Sequence, residues 1–299
     1  MDNALMSSTS RINKSSVNKI LNVLGSGLAV VGVIFVISRL HGYWNSAHLE
    51  TMSVSTWSSI TGLALLYGLS NILLALAWRD ILNHCQLDIK SAWVIRTYGI
   101  SQLAKYIPGN IFQIAGRQAL GMASGLPSKG ILKSNIYELM LIAIAGSTSI
   151  WLALPIIFPS IPLLAGLILT LVNMAGIYIL LRIYLSQYMS TAFMFQTLFL
   201  VISSIIFITI LSLITNGQHI DYVSYIYIGA TYIIAWLAGL ITPGSPAGVG
   251  IRELVIIFFL KNIIPESDLL LAVVLGRLVT VIGDIIFYGF AHSISKNSL

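Results

Sequence analysis

The chain is 299 residues long, 57% hydrophobic and only 9% charged, where an ordinary soluble domain carries roughly 25% charge. With a mean hydropathy of +0.91, this composition excludes a soluble globular protein and makes the transmembrane helix the unit of counting. A net charge of +6 in such a chain points to loops, anionic headgroups or a buried cavity, and not to nucleic acid. Cys85 is the only cysteine, so an intrachain disulfide, a cysteine zinc finger and dithiol redox chemistry are excluded.

Residues 1–19 form a polar tail, with Arg11, Lys14 and Lys19 ahead of an uncharged apolar run at 20–38. That run exceeds the roughly 7–15 apolar residues of a signal peptide and no convincing cleavage site follows it, so a retained first span is expected. Further runs at 57–77, 131–154, 163–181, 193–214 and 269–291 have the length of a span. Trp44, Trp57, Trp78 and Trp151 stand at or beside the run ends, where an aromatic belt would place indole at the headgroup level.

Two segments are broken. The first, 91–123, is interrupted at Pro108, Gly109 and Asn110; the second, 222–260, is interrupted from Pro243 and Gly244 through Gly248 to Gly250. Proline removes an amide donor and glycine disfavours helix. Each segment is therefore predicted to be a re-entrant helix, break, helix hairpin, and such a break at membrane depth must be buried in protein or line a wet cavity.

The breaks resemble each other. Both read Pro-Gly, seven residues, Arg, ending at Arg117 and Arg252, and the two prolines stand 135 residues apart. Trp57 and Phe193 are 136 apart, Ile131 and Leu269 138 apart. These offsets predict a duplication, 20–155 and 156–291, followed by a tail at 292–299. With the N-terminus inside, nine Lys and Arg fall in cytoplasmic loops and tails against two outside, Arg39 and Lys261, which is the expected bias. The predicted fold is an all-α polytopic membrane protein of six transmembrane helices plus two oppositely directed hairpins in an inverted repeat, with both termini cytoplasmic. Full crossing by both broken segments, giving eight or more spans, is the alternative.

Basic residues within or beside the apolar region are Arg96, Lys105, Arg117, Arg252 and Arg277, and Glu138, Glu253 and Asp284 can pair with them. Asp284 follows Arg277 by seven residues, two turns along one helical face, so structural pairing of these two is one reading and a proton-coupling role another. Glu138 is expected to pair with Arg117 or to carry a proton. Arg117 and Arg252 each follow a break that frees backbone amides, and guanidinium suits bidentate phosphate contact. A phosphate-bearing ligand is expected there, with Lys105, Tyr106, Pro108, Gly109, Asn110 and Gln113 around the first break and Pro243, Gly244, Gly248 and Gly250 around the second. Snorkelling of Lys105 and close packing at the glycines are the structural alternatives. No nucleotide-binding or metal-ligand motif is present, so neither catalysis nor a cofactor is expected.

Several of these motifs together resemble a known family: Trp78-Arg79, Lys105 through Gln113 with Gly116-Arg117, Glu138, and Pro243-Gly244 through Gly250 with Arg252-Glu253. They are similar to the lysylphosphatidylglycerol synthase transmembrane-region family, also called flippase-like domain proteins, over about residues 20–290. The resemblance implies a polytopic protein of the bacterial cytoplasmic membrane that moves aminoacylated phospholipid or polyprenyl-linked glycan between leaflets, with lipid as substrate and envelope-biosynthesis proteins as partners. The chain departs from the family at Ser245-Pro246-Ala247, where a further glycine is more usual, and no soluble aminoacyl-transferring domain follows its spans. A synthase role is therefore not expected. A lipid flippase is the favoured expectation, an ion-coupled solute transporter and a membrane scaffold of an envelope polysaccharide complex the alternatives.

Overall fold

A computed structural model describes residues 53–107, 111–215, 221–242, 248 and 250–295. The N-terminal tail, the expected first span and Pro108, Gly109, Asn110, Pro243 and Gly244 lie outside the described residues. Those described form helices joined by short turns: α1 (Val54–His84), α2 (Ser91–Gln102), a 3-10 turn (Leu103–Tyr106), α3 (Phe112–Ala123), α4 (Ser128–Ser147), α5 (Ile150–Ile157), α6 (Leu163–Leu180), α7 (Gln187–Ile214), α8 (Tyr222–Ile241), α9 (Ile251–Leu260) and α10 (Glu266–Ser293).

Helix ends follow local chemistry. The Ser53 hydroxyl accepts the Thr56 amide at the start of α1, Ser186 does the same for Met189 at α7, and Asp221 for Ser224 at α8. Beyond α1 the chain turns through Gln86, at a positive φ of 62°. In α5, Pro155 cannot donate to the carbonyl of Trp151. Gly166 of α6 passes close to that carbonyl, where an added Cβ would lie 2.6 Å from the oxygen.

Among the described residues six helical stretches are long and apolar enough to cross a membrane, which makes this a multi-pass membrane protein. Five of them contain the runs read at 57–77, 131–154, 163–181, 193–214 and 269–291. The sixth is α8, which the sequence assigned to half of the second hairpin. Its apolar, uncharged stretch continues unbroken to Ile241, so the limbs around the second break are unequal, with 20 residues in α8 and 10 in α9. Around the first break α2 and α3 have 12 residues each, about 18 Å, well short of the roughly 30 Å of hydrocarbon.

The centre of the bundle is α1, which packs against α7 and α10. Its crossing with α10 is close because Gly68 and Gly283 meet there. A Cβ on Gly68 would sit 2.9 Å from the Gly283 carbonyl oxygen, and one on Gly283 would sit 2.8 Å from that of Ala64. In a bilayer, where lipid tails remove the hydrophobic drive between helices, small residues let backbones approach and gain dispersion contact. Phe193, Phe199, Phe207 and Phe287 fill the core around this crossing.

Trp78 departs from the aromatic-belt expectation. It is fully buried, stacks on Trp93 with ring centroids 6.2 Å apart, and donates its indole N–H to Ser134 at 3.1 Å. With its one polar group satisfied inside the protein, the ring has no need of an interfacial position. At the other extreme α6 is little covered by protein: only 11% of its apolar window is buried.

Candidate functional site

The crossing of α1 and α10 fixes a buried polar network. Asp284, fully buried, lies one position beyond Gly283; Asn71 lies three beyond Gly68. The Asn71 amide donates to Asp284 Oδ1 at 3.2 Å, Lys105 Nζ approaches Oδ2 at 2.7 Å, and the Tyr106 hydroxyl donates to the same oxygen. Gln102 in turn donates to the Asn71 carbonyl oxygen at 3.4 Å. A buried carboxylate is tolerated when it is paired and hydrogen-bonded, and here the donors come from α1 and the 3-10 turn. The Arg277 and Asp284 pairing read along one helix is not the observed partnership. Two turns separate the Cα atoms by about 10 Å, and tertiary contact supplies Asp284 with Lys105.

Arg277 instead meets Glu253, with Nε at 3.2 Å and Nη2 at 3.1 Å from Oε1, and donates to the Gly248 carbonyl at 2.9 Å. The other Glu253 oxygen accepts the Gly250 amide at 2.7 Å, closing the first turn of α9. Gly248 and Gly250 have φ of +74° and +89°, a region L side chains rarely adopt. Gly239 of α8 also approaches Gly248 so closely that a Cβ on either would lie within 3 Å of the other's Cα. These contacts support the close-packing reading for Gly248, whereas a Cβ on Gly250 would meet nothing within 4 Å and only its positive φ favours glycine there.

Arg117 and Glu138 form the expected pair, both buried. Glu138 Oε1 accepts from the Tyr98 hydroxyl at 2.8 Å, and the Arg117 guanidinium lies 4.5 Å from the Tyr98 ring centroid and 5.3 Å from that of Trp78. Its charge is thus met by one carboxylate and two π faces. Arg96 serves another purpose. It donates to the carbonyls of His292 and Ile294 at the end of α10, satisfying groups that a helix terminus leaves free.

Arg252 differs from these. Its guanidinium lies 5.4 Å from the Trp236 ring centroid, but its buried Nε has no hydrogen-bond partner among the described residues. No carboxylate among the described residues forms an ion pair with it.

These side chains converge. Lys105, Tyr106, Gln113, Arg117, Glu138, Arg252 and Arg277 all line one cavity of about 70 Å³, together with Tyr67, Tyr98, Gln102, Trp236 and Thr280. Both arginines that follow a Pro-Gly break therefore face the same space. Four cations line it. Three have carboxylate partners, in Glu138, Asp284 and Glu253, and Arg252 is left in excess. Asp284 and Glu253 are not in the lining but hold Lys105 and Arg277 in place.

Sequence reading missed Asn71, Tyr98, Gln102 and Trp236. Asn71 carried a signal, being a lone amide in the middle of an apolar run. Tyr98, Gln102 and Trp236 carried none, since nothing in their local pattern separates them from ordinary helix positions. Among the described residues no cluster of three or more metal-ligating side chains occurs. Compared with known proteins, the chain matches no family model and no curated sequence.

Proposed function

We propose that this protein moves a phosphate-bearing lipid, an anionic phospholipid or a polyprenyl-phosphate-linked glycan, between the leaflets of a bacterial cytoplasmic membrane in the course of envelope biosynthesis. The observation that carries the reading is Arg252, a cation without a carboxylate partner among the described residues, facing a cavity shared with Lys105, Arg117 and Arg277. A cation whose Nε is sealed from water and which has an aromatic face but, among the described residues, no carboxylate partner beside it is costly. An anionic headgroup would supply the missing charge, and guanidinium offers phosphate a planar fork of donors.

The inverted-repeat architecture belongs to the same proposal. Its supports are the matched Pro-Gly and Arg spacing, the nine-to-two bias of Lys and Arg that this topology would give, and the shortness of α2 and α3. The resemblance to flippase-like domain proteins points the same way. In such an architecture one half rocks against the other around a site at broken helices, with Glu138 or Asp284 as the proton carrier.

The test is reconstitution into liposomes with labelled anionic phospholipid and, separately, labelled polyprenyl-phosphate-linked sugar. Outer-leaflet accessibility should rise faster than in protein-free vesicles for one class, and Arg252→Gln should abolish the acceleration. Folded protein that accelerates neither lipid would remove the proposal. Saturable uptake of a soluble anion in the absence of lipid movement would replace it with a solute transporter.

A further inference from the structure

A second cavity, of about 340 Å³, lies beside the charged one, between α6 and the helices α4, α5, α7 and α8. Resting on the lipid reading above, we infer that it holds a hydrocarbon chain of the same amphiphile whose anionic head pairs with Arg252, so that a single ligand occupies both spaces.

Continuity is the first argument. The two cavities share three helices, and on each the lining residues are neighbours: Ile142 then Ala145 on α4, Phe199 then Leu200 on α7, Trp236 then Ile233 on α8. Three residues of helix rise about 4.5 Å. Along each of these helices the lining therefore changes from charged to apolar within one turn, the distance over which a lipid headgroup gives way to its chain.

Chemistry is the second. Leu152, Leu167, Met174, Val201, Ile208 and Ile233 supply the walls. Three of the lining hydroxyls are turned to their own helices: Thr148 donates to Ala145, Thr170 to Gly166 and Ser204 to Val201, each to a backbone carbonyl, and the Tyr225 hydroxyl accepts from Ser212 of α7 at 3.5 Å. Thr197 has no partner for its buried hydroxyl among the described residues. A sugar or peptide would find few donors here, whereas a methylene chain needs none. An apolar cavity of about 150 Å³ already stays dry and accepts a benzene-sized molecule, and this one is larger.

Access is the third. The outer wall is α6, the helix least covered by protein, so the cavity borders the lipid phase. On the inner side Gly229 lets α8 pack closely on α7, where a Cβ would lie 3.2 Å from Ile208.

The experiment uses dodecyl phosphate with a diazirine at the chain end, photolysed with the full-length protein in zwitterionic nanodiscs, and adducts mapped by mass spectrometry. Adducts are expected on Leu167, Met174 and Ile226. They should fall about tenfold in Leu167→Trp and in Met174→Trp, each of which fills the cavity from the peripheral α6. Butyl phosphate should still compete in both variants, because the head site is intact, and Arg252→Gln should remove adducts and competition together. Adducts spread over outward-facing Leu171 and Val172 and unchanged by both cavity fillings would overturn the chain site while leaving the head site standing. Adducts inside the cavity that persist in Arg252→Gln would overturn the single bipartite ligand and the anion reading with it.

Discussion

Lys105 Nζ lies 2.7 Å from Asp284 Oδ2, joining the segment before the first break to the middle of α10. The Asp284 side chain is fully buried and that of Lys105 is 16% exposed, so each charge depends on the other. Removing one partner of such a pair typically costs about 3–5 kcal/mol, whereas replacing both with apolar groups is often neutral. Asp284→Asn should lower the unfolding temperature of the purified protein sharply, and Lys105→Met with Asp284→Leu should restore most of it. Thermal unfolding of the two single variants and the double variant checks this.

Arg117 and Arg252 separate by the same logic. Arg117 is held by Glu138 and two aromatic faces, so Arg117→Lys should destabilise the fold by about 1–3 kcal/mol through lost stacking and hydrogen bonding. Arg252→Lys should leave unfolding nearly unchanged and weaken phosphate binding instead. Parallel melting curves and phosphate titrations distinguish the two; equal loss of stability in both would contradict the assignment of Arg252 to a ligand.

The crossing of α1 and α10 predicts a contrast among glycines. Gly283→Ala forces a methyl within 3 Å of two backbone atoms and should cost about 1–3 kcal/mol by overpacking. Gly62→Ala and Gly176→Ala, with nothing within 4 Å of the new methyl, should stabilise by about 0.5–1 kcal/mol through helix propensity. Denaturant unfolding of the three variants in one detergent reads the difference.

Single cysteines at Asn110 and Ser245, in a Cys85→Ser background, should label from opposite sides of sealed vesicles. Labelling of both from one side would exclude the inverted arrangement. The native thiol also makes a pH prediction. Burial pushes the Cys85 thiol up from its ordinary value, keeping it protonated and unreactive at neutral pH. Its maleimide labelling should rise more steeply between neutral and alkaline pH than that of an exposed cysteine.

Much of this was legible because charge in an apolar chain is scarce. Arg117, Glu138, Lys105 and Arg252 stood out individually, and all four line one cavity. Their partnerships were harder to read. Asp284 was matched to Arg277 because helical periodicity ranks neighbours along one helix, and it is silent about which turn another helix will present. The glycine contact that brings Asn71 to Asp284 becomes meaningful only when Gly68 and Gly283 are known to face each other. The length of α8 was obscured by the proline and glycine cluster after it, which marked the break without saying how far it lay from the previous loop.

The Glu253 carboxylate is shared between the Gly250 amide and Arg277, and this has a mechanical consequence. Glycines at positive φ are commonly associated with pliant loops, yet here the first turn of α9 is riveted to α10 and cannot swing without stranding a buried guanidinium. Arg252, on the second residue of that helix, is thereby mounted on a rigid bracket. Whatever it grips is gripped by a fixture that travels with α10, so rearrangement around the cavity must be a movement of whole helices and not the flapping of a loop.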